Sequence, residues 1–221
     1  MTDSTSDVPV HESLIVTDTE TIYRTDAWWK AVVSYRYEGS ESDETAVYLW
    51  HHDDEGWTRK NKYVIRTVDA WETDKQIIDT LLAKETGDDD VSEEFPVSDH
   101  YIAGAGVTVF KSDGWWKGIL NIVKKGTYET NEVMVYLWQN HSGGWKRRQK
   151  YTIGGCEDWE KEQTAIESVL NANHESSDDS AKATGLTGQE ESSWDDLDTM
   201  DTDALIGLDE DVDDHLGEAL Y

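Results

Sequence analysis

The sequence predicts an α+β fold in which a four-stranded antiparallel sheet followed by one helix occurs twice in tandem. Residues Thr21 to Leu82 recur at Thr108 to Leu170 almost in register. Within each copy, Trp- and Tyr-rich segments alternate with the two-residue period of strands, and the copy closes on a segment with helical spacing. Thr21, Asp26, Trp28, Trp29 and Lys30 match Thr108, Asp113, Trp115, Trp116 and Lys117 at an offset of 87. After a one-residue difference in the first hairpin, Val47, Tyr48, Leu49 and Trp50 match Val135, Tyr136, Leu137 and Trp138 at 88. Agreement of this kind is duplication.

Residues 1–19 read as an acidic, unstructured N-terminus and 20–84 as the first unit. Its strands are Thr21 to Thr25, Trp28 to Tyr37, Thr45 to His52, and Trp57 to Arg66 after the turn Asp53-Asp54-Glu55-Gly56. Alternation sends Trp29, Ala31, Val33 and Tyr35 to an apolar side and Trp28, Lys30, Ser34 and Arg36 to an open one; Trp116, Gly118, Leu120 and Ile122 repeat the apolar side. Asp69 reads as the helix N-cap with Glu72 three residues on. Trp71, Ile78, Leu81 and Leu82 form a stripe, matched by Trp159, Ile166, Val169 and Leu170, that should cover the apolar side.

Residues 85–106 read as an acidic linker, 107–172 as the second unit and 173–221 as a disordered acidic tail. From Ala183 to Tyr221 there are 13 acids and neither Lys nor Arg. A unit of about 60 residues buries too little surface to be comfortably stable alone, so the copies are expected to pair as an internal pseudo-dimer within a monomer.

The formal net charge is -29, from 48 acids against 19 bases, and the mean hydropathy is -0.72. That composition suits a cytoplasm at very high salt, such as that of a halophilic archaeon. Net acidity opposes phosphate binding in general. A local basic face can still prevail, because at about 1 M salt the Debye length is only ~3 Å. The single cysteine, Cys156, excludes an intramolecular disulfide or Cys-based zinc cluster within the chain. The N-terminal MTDSTSDVPVHESLIV has neither a basic nor an apolar signal region, and no apolar run approaches the ~20 residues of a spanning helix. A soluble, cytoplasmic protein with no membrane partner is expected, which makes the glycosylation match at Asn140-His141-Ser142 a chance one.

Eight of the 19 basic residues fall within Arg59 to Arg66 and Lys146 to Lys150. The first run is Trp57-Thr58-Arg59-Lys60-Asn61-Lys62-Tyr63 and the second Trp145-Lys146-Arg147-Arg148-Gln149-Lys150-Tyr151, neither containing an acid. Alternation groups Lys60, Lys62 and Arg66 on one face and Lys146, Arg148 and Lys150 on the other copy's equivalent, with Lys30, Arg36 and Lys117 extending it from a neighbouring strand. Cations neutralise phosphates, while Trp28, Trp115, Tyr63 or Tyr151 could offer flat faces to bases. The combination suits single strands, because a duplex hides its base faces and the chain has no recognition helix or basic region. A lysine-protected sheet edge is the bland alternative.

Catalytic signals are poor, and neither an enzyme nor a cofactor is expected. His51-His52-Asp53-Asp54-Glu55 suggests a metal site, but its counterpart Gln139-Asn140-His141-Ser142-Gly143 keeps none of the ligand pattern. Gly104-Ala105-Gly106 lacks the third glycine and following helix of a phosphate loop. Cys156 stands where the first copy has Val68 and reads as a small buried side chain.

On Val47 to Trp50, the turn 53–56, Arg59 to Lys62, Val64-Ile65 and Trp71, with Val135 to Trp138, Gly143-Gly144, Lys146 to Lys150, Ile153 and Trp159, the chain resembles the positive-cofactor-four and Whirly families of single-stranded-DNA-binding transcriptional coactivators. The likeness covers roughly 125 residues. It implies that the two copies form in one chain the pair those families make by dimerisation, with strands presenting nucleic acid and helices at the interface. High Trp content, net acidity and the long tail depart from the family pattern. The expected function is therefore binding of single-stranded or melted DNA in transcription or genome maintenance, through Trp28, Lys30, Arg59, Lys60, Lys62, Tyr63, Arg66, Trp115, Lys117, Lys146, Arg147, Arg148, Lys150 and Tyr151. The alternatives are a protein-interaction module without nucleic acid, and RNA binding. The tail could dock on a transcription or replication protein, fold back on the basic face, or serve only solvation.

Overall fold

The computed structural model of the chain describes residues 8–83, 94–124 and 131–181. The first repeat comprises β1 (Leu14–Arg24), β2 (Trp28–Tyr37), β3 (Glu44–Asp53), β4 (Gly56–Ile65) and α1 (Val68–Leu82). The second comprises β5 (Tyr101–Lys111), β6 (Trp115–Lys124), β7 (Asn131–His141), β8 (Gly144–Ile153) and α2 (Cys156–Ala181). Each sheet is an antiparallel meander, ordered β1-β2-β3-β4 and β5-β6-β7-β8. Gly56 and Gly144, at φ 110 and 108, occupy equivalent turn positions where a side chain would be strained. The N-cap of α1 is Thr67, whose hydroxyl accepts from the Ala70 amide, and not Asp69, which lies in the first turn.

The repeats are longer than their sequence match. Strand β1 starts at Leu14, inside the segment 1–19 expected to be unstructured, and β5 starts at Tyr101, inside the expected linker 85–106. Ahead of them lie Val8-Pro9-Val10 and Phe95-Pro96-Val97, again at an offset of 87. In each arm the third residue's amide donates to the first residue's carbonyl at 2.8 Å, and the entering turns match (Leu14 N to His11 O and Tyr101 N to Ser98 O, both 3.0 Å). Helix α2 runs to Ala181, through positions 173–181 assigned to the tail. The rest of that tail, 182–221, lies outside the described residues.

The helices cover the face that alternation marked as open. Val32, Val47, Tyr63 and Ile65 of the first sheet and Ile119, Val133, Val135, Tyr151 and Ile153 of the second share one core with Trp71, Ile78 and Leu81 of α1 and Trp159, Ile166 and Val169 of α2. The coverage largely crosses over: α1 packs on β5, β6 and β7 as well as on β4 of its own sheet, while α2 packs on β1, β2 and β3. Trp29, Ala31, Val33 and Tyr35 instead form a second layer on the outer face, with Tyr48, Trp50 and the arm residues Val8 and Val10. In the second repeat Phe95, Trp116, Leu120, Tyr136 and Trp138 do the same. Central strands are thus buried on both faces, with Ala31, Val32 and Val33 all at 0% exposure.

The two outer layers reach similar packing by exchanging volume. Phe95 replaces the smaller Val8 and stacks on Trp116 and Trp138, at 5.4 and 6.2 Å between ring centres. Its ring fits because Gly106 and Gly118 stand where the first repeat has Thr19 and Ala31; a Cβ at Gly118 would lie 2.8 Å from the ring and one at Gly106 2.6 Å. Gly118→Ala should therefore destabilise the protein by about 1–3 kcal/mol, the usual cost of overpacking. Phe95→Val in that background should recover most of the loss. Urea denaturation of the two single variants and the double variant measures the coupling, and purely additive effects would contradict it.

Candidate nucleic-acid interface

The two basic strands lie edge to edge. Tyr63 and Tyr151 stack across the junction with ring centres 4.9 Å apart and planes 2° from parallel, and the Val64 amide of β4 donates to Gln149 Oε1 of β8 at 3.0 Å. Beneath this seam runs a reciprocal buried network. Lys30 of β2 reaches Glu162 of α2 at 2.5 Å and the Thr152 carbonyl at 3.0 Å, while the Tyr151 hydroxyl donates to the other Glu162 oxygen. The equivalent residues repeat it: Lys117 of β6 reaches Asp74 of α1 at 2.5 Å, and the Tyr63 hydroxyl donates to the same carboxylate. Burial, then the neighbouring carboxylate, holds both tyrosines well above the ordinary pKa of 10.0.

Lys30, Lys117, Tyr63 and Tyr151 therefore cannot meet a ligand, contrary to the sequence expectation. Their exposures are 6%, 8%, 3% and 3%. The physical reason is charge pairing: a lysine that local alternation assigns to solvent can enter a core when a carboxylate from elsewhere in the chain meets it. Trp115 is buried as well. Trp28, half-buried, packs its ring on His51 at 4.6 Å, leaving it a partly accessible edge residue.

Four of the remaining cations, Arg59, Lys62, Arg147 and Lys150, gather on the outer face. Irregularities between Leu49 and Trp50 and between Leu137 and Trp138 shift the register, so Arg59 pairs with Trp50 and Lys62 with Tyr48, and Arg147 pairs with Trp138 and Lys150 with Tyr136. Partners directly across a ladder share a face. Arg59 and Arg147 thus join Lys62 and Lys150, a grouping strict alternation does not give. The Lys62 ammonium lies 5.0 Å from the Tyr35 ring centre and 5.7 Å from that of Tyr48. Lys150 lies 5.1 Å from the Tyr101 ring centre and donates to its hydroxyl at 3.0 Å. Arg148 is engaged by Gln139 Oε1 at 2.8 Å. Lys60 and Arg66 are half-buried, and Lys146 is exposed.

Sequence reasoning missed two further cations at equivalent positions. The Arg24 guanidinium lies 3.9 Å from the Trp29 ring centre and 5.6 Å from that of Trp57, and the Lys111 ammonium lies 3.3 Å from Trp116. Trp57 and Trp145, half-buried, stand edge-on to Trp29 and Trp116 at 5.7 and 5.6 Å. The signal was present in the repeat itself, since Arg24 and Lys111 are both basic at the offset of 87. Among the described residues, Arg59, Lys60 and Arg147 have no carboxylate within salt-bridge range, whereas Lys75 bridges Glu72 and Glu167, and Lys161 bridges Asp158.

Among the described residues no group of three or more His, Cys, Asp and Glu is placed to hold a metal ion, and no helix is long and apolar enough to cross a membrane. Cys156 is exposed at the start of α2, where the sequence suggested a buried side chain. Comparison with known proteins finds no matching family model, no matching curated protein and no matching solved structure.

The two layers separate structural from surface cations, which substitution can test. Glu162→Gln leaves the buried Lys30 without its counter-charge and should cost about 3–5 kcal/mol. Replacing both partners, Lys30→Met with Glu162→Leu, should restore much of that loss. Arg59→Gln should change stability by no more than about 0.5 kcal/mol, as at ordinary surface positions. Chemical denaturation provides the readout, and a mild Glu162→Gln effect would contradict the network's role.

Proposed function

We propose that the chain binds single-stranded or melted DNA along the outer face of β4 and β8, its two repeats acting as the halves of an internal pseudo-dimer. The observation that carries this reading is the pairing of the two basic strands at one seam, with Arg59, Lys60 and Arg147 unbridged by acids among the described residues. In a chain of net charge -29, such cations are difficult to explain as solvation. Carboxylates are abundant enough to pair them if pairing were their purpose.

The surrounding chemistry agrees. Guanidinium and ammonium groups meet phosphates, and indole rings offer stacking that tolerates any base, worth about 1–3 kcal/mol per base. Trp57 and Trp145 stand beside the cations and take the stacking role that Trp115, Tyr63 and Tyr151 cannot perform. The resemblance to single-stranded-DNA-binding coactivators supports a role in transcription or genome maintenance. Phosphate contact and stacking serve RNA equally well, so the sugar must be tested directly.

Changing Arg59, Lys62, Arg147 and Lys150 together to Gln should weaken oligo(dT) binding and flatten its dependence on log salt by about 0.7 for each phosphate no longer neutralised. Circular dichroism should be unchanged. The same titration with oligo(U) compares DNA with RNA. A folded variant that binds as tightly as the parent would overturn the assignment, and a parent that binds neither oligonucleotide would favour a protein-interaction module.

A further inference from the structure

We propose that strand β5 is a docking edge for a second copy of this chain, the two β5 strands pairing antiparallel across a twofold axis. The site is independent of nucleic-acid binding, since the order β5-β6-β7-β8 puts it at the edge of the second sheet opposite β8. Among the described residues, β1 and β5 each have a neighbouring strand on one side only. Such an edge offers a backbone template to another strand, and proteins ordinarily blunt it with charge.

The first repeat is blunted in this way and the second is not. Strand β1 carries Asp18 and Glu20 at its middle, whereas β5 holds no charged residue from Tyr101 to Phe110. At the offset of 87, Asp18, Glu20 and Arg36 of the first repeat become Ala105, Val107 and Val123 of the second, while Ile15 is kept as Ile102. The register gathers these changes. Strict alternation would put Ile102 and Val107 on opposite faces, but the bulge between Ala103 and Gly106 returns both to the helix-covered side. There Ile102 pairs with Val123 and Val107 with the core residue Ile119. In the first repeat Ile15 pairs with the exposed Arg36, and the exposed Glu20 with Val32. Ile102 is 51% exposed and Val107 39%, so the core of the second repeat ends in an apolar rim facing solvent. Folding does not require that rim, because the first repeat forms the same sheet with the charges in place.

Charge selects the occupant. Two copies with a net charge of -29 each repel one another, so they meet most favourably where neither is charged. Pairing β5 with β5 opposes no like charges between positions 101 and 110. Pairing β1 with β1 would set acids against acids, and β1 with β5 would press the acids of one copy onto the apolar rim of the other. The mixed pairing is also heterologous and does not close at two copies, whereas a β5 to β5 ladder is isologous and does. It continues both second sheets as β8-β7-β6-β5 and back again from β5 to β8, leaving a β4/β8 seam uncovered at each end. The assembly therefore carries the surface proposed for nucleic acid twice, and a long single strand would engage both with avidity.

Sedimentation equilibrium of the full chain, from low micromolar concentration upward, tests the pairing. The parent should approach twice the 25.1 kDa of one chain. Association should tighten as salt rises, because screening weakens the repulsion between copies while the apolar contact persists. Val107→Glu with Val123→Arg restores the first repeat's residues at their equivalent positions, so circular dichroism should be unchanged. That double variant should associate about tenfold or more weakly, since like charges then face each other across the ladder. Glu20→Gln on β1 should leave the association as it is. Hydrogen exchange of the parent reads the edge itself: amides of β5 should gain protection as concentration rises, and those of β1 should not. A parent that keeps the mass of one chain at every concentration, or a double variant that associates as tightly as the parent, would overturn the proposal. Should the double variant fold poorly, exchange on the parent decides, and a dimer that leaves β5 unprotected would overturn it equally.

Discussion

Lys30 in the first repeat and Lys117 in the second each carry a charge into the core, and each is neutralised by a carboxylate on the helix of the other repeat. Neither repeat can complete this core alone. Removing Glu162 or Asp74 would leave an ammonium in apolar surroundings, and such a charge is far more costly than a broken surface pair. The tyrosines extend the constraint, since Tyr151 and Tyr63 donate to the same carboxylates that receive the lysines and stack on each other where the sheets meet. The network therefore fixes which helix covers which sheet, and it fixes β4 against β8.

From that constraint the placement of the outer-face cations follows. With the helices crossed over on the inner faces, the outer faces must bury their aromatic rows by another route, and each does so with the arm that precedes its first strand. The cations of β4 and β8 stand along that aromatic layer, beside one another because the network holds their strands together. One face of each sheet thus uses its lysine for folding, and the other carries the cations proposed to bind nucleic acid. The helical layer adds further ties, with Lys75 of α1 bridging Glu167 of α2 and the Trp159 indole donating to Asp79 at 2.6 Å.

The duplication, the strands following each first strand, the helical stripes and the basic runs were all legible, because each is local or repeats at a fixed offset. The assignment of faces was not. Alternation sorts residues by type, and it placed Lys30 in solvent; the carboxylate that buries Lys30 lies 132 residues away, where no local pattern reaches. The arms were hidden for a different reason: Val8 became Phe95 while Thr19 and Ala31 became Gly106 and Gly118, so volume was conserved and residue identity was not. The grouping of Arg59 with Lys62 depends on a one-residue irregularity in the ladder, which strict alternation cannot express.

Separating the repeats tests the central claim most directly. A chain of residues 1–92 contains β1 to β4 and α1 but lacks the helix that covers its sheet. Sedimentation equilibrium combined with circular dichroism should find it unfolded as a monomer, gaining structure only through concentration-dependent self-association or on mixing with residues 93–221. A dilute, monomeric first repeat with a cooperative unfolding transition would contradict the account, because its sheet and helix would then be sufficient without the buried cross-repeat pairs.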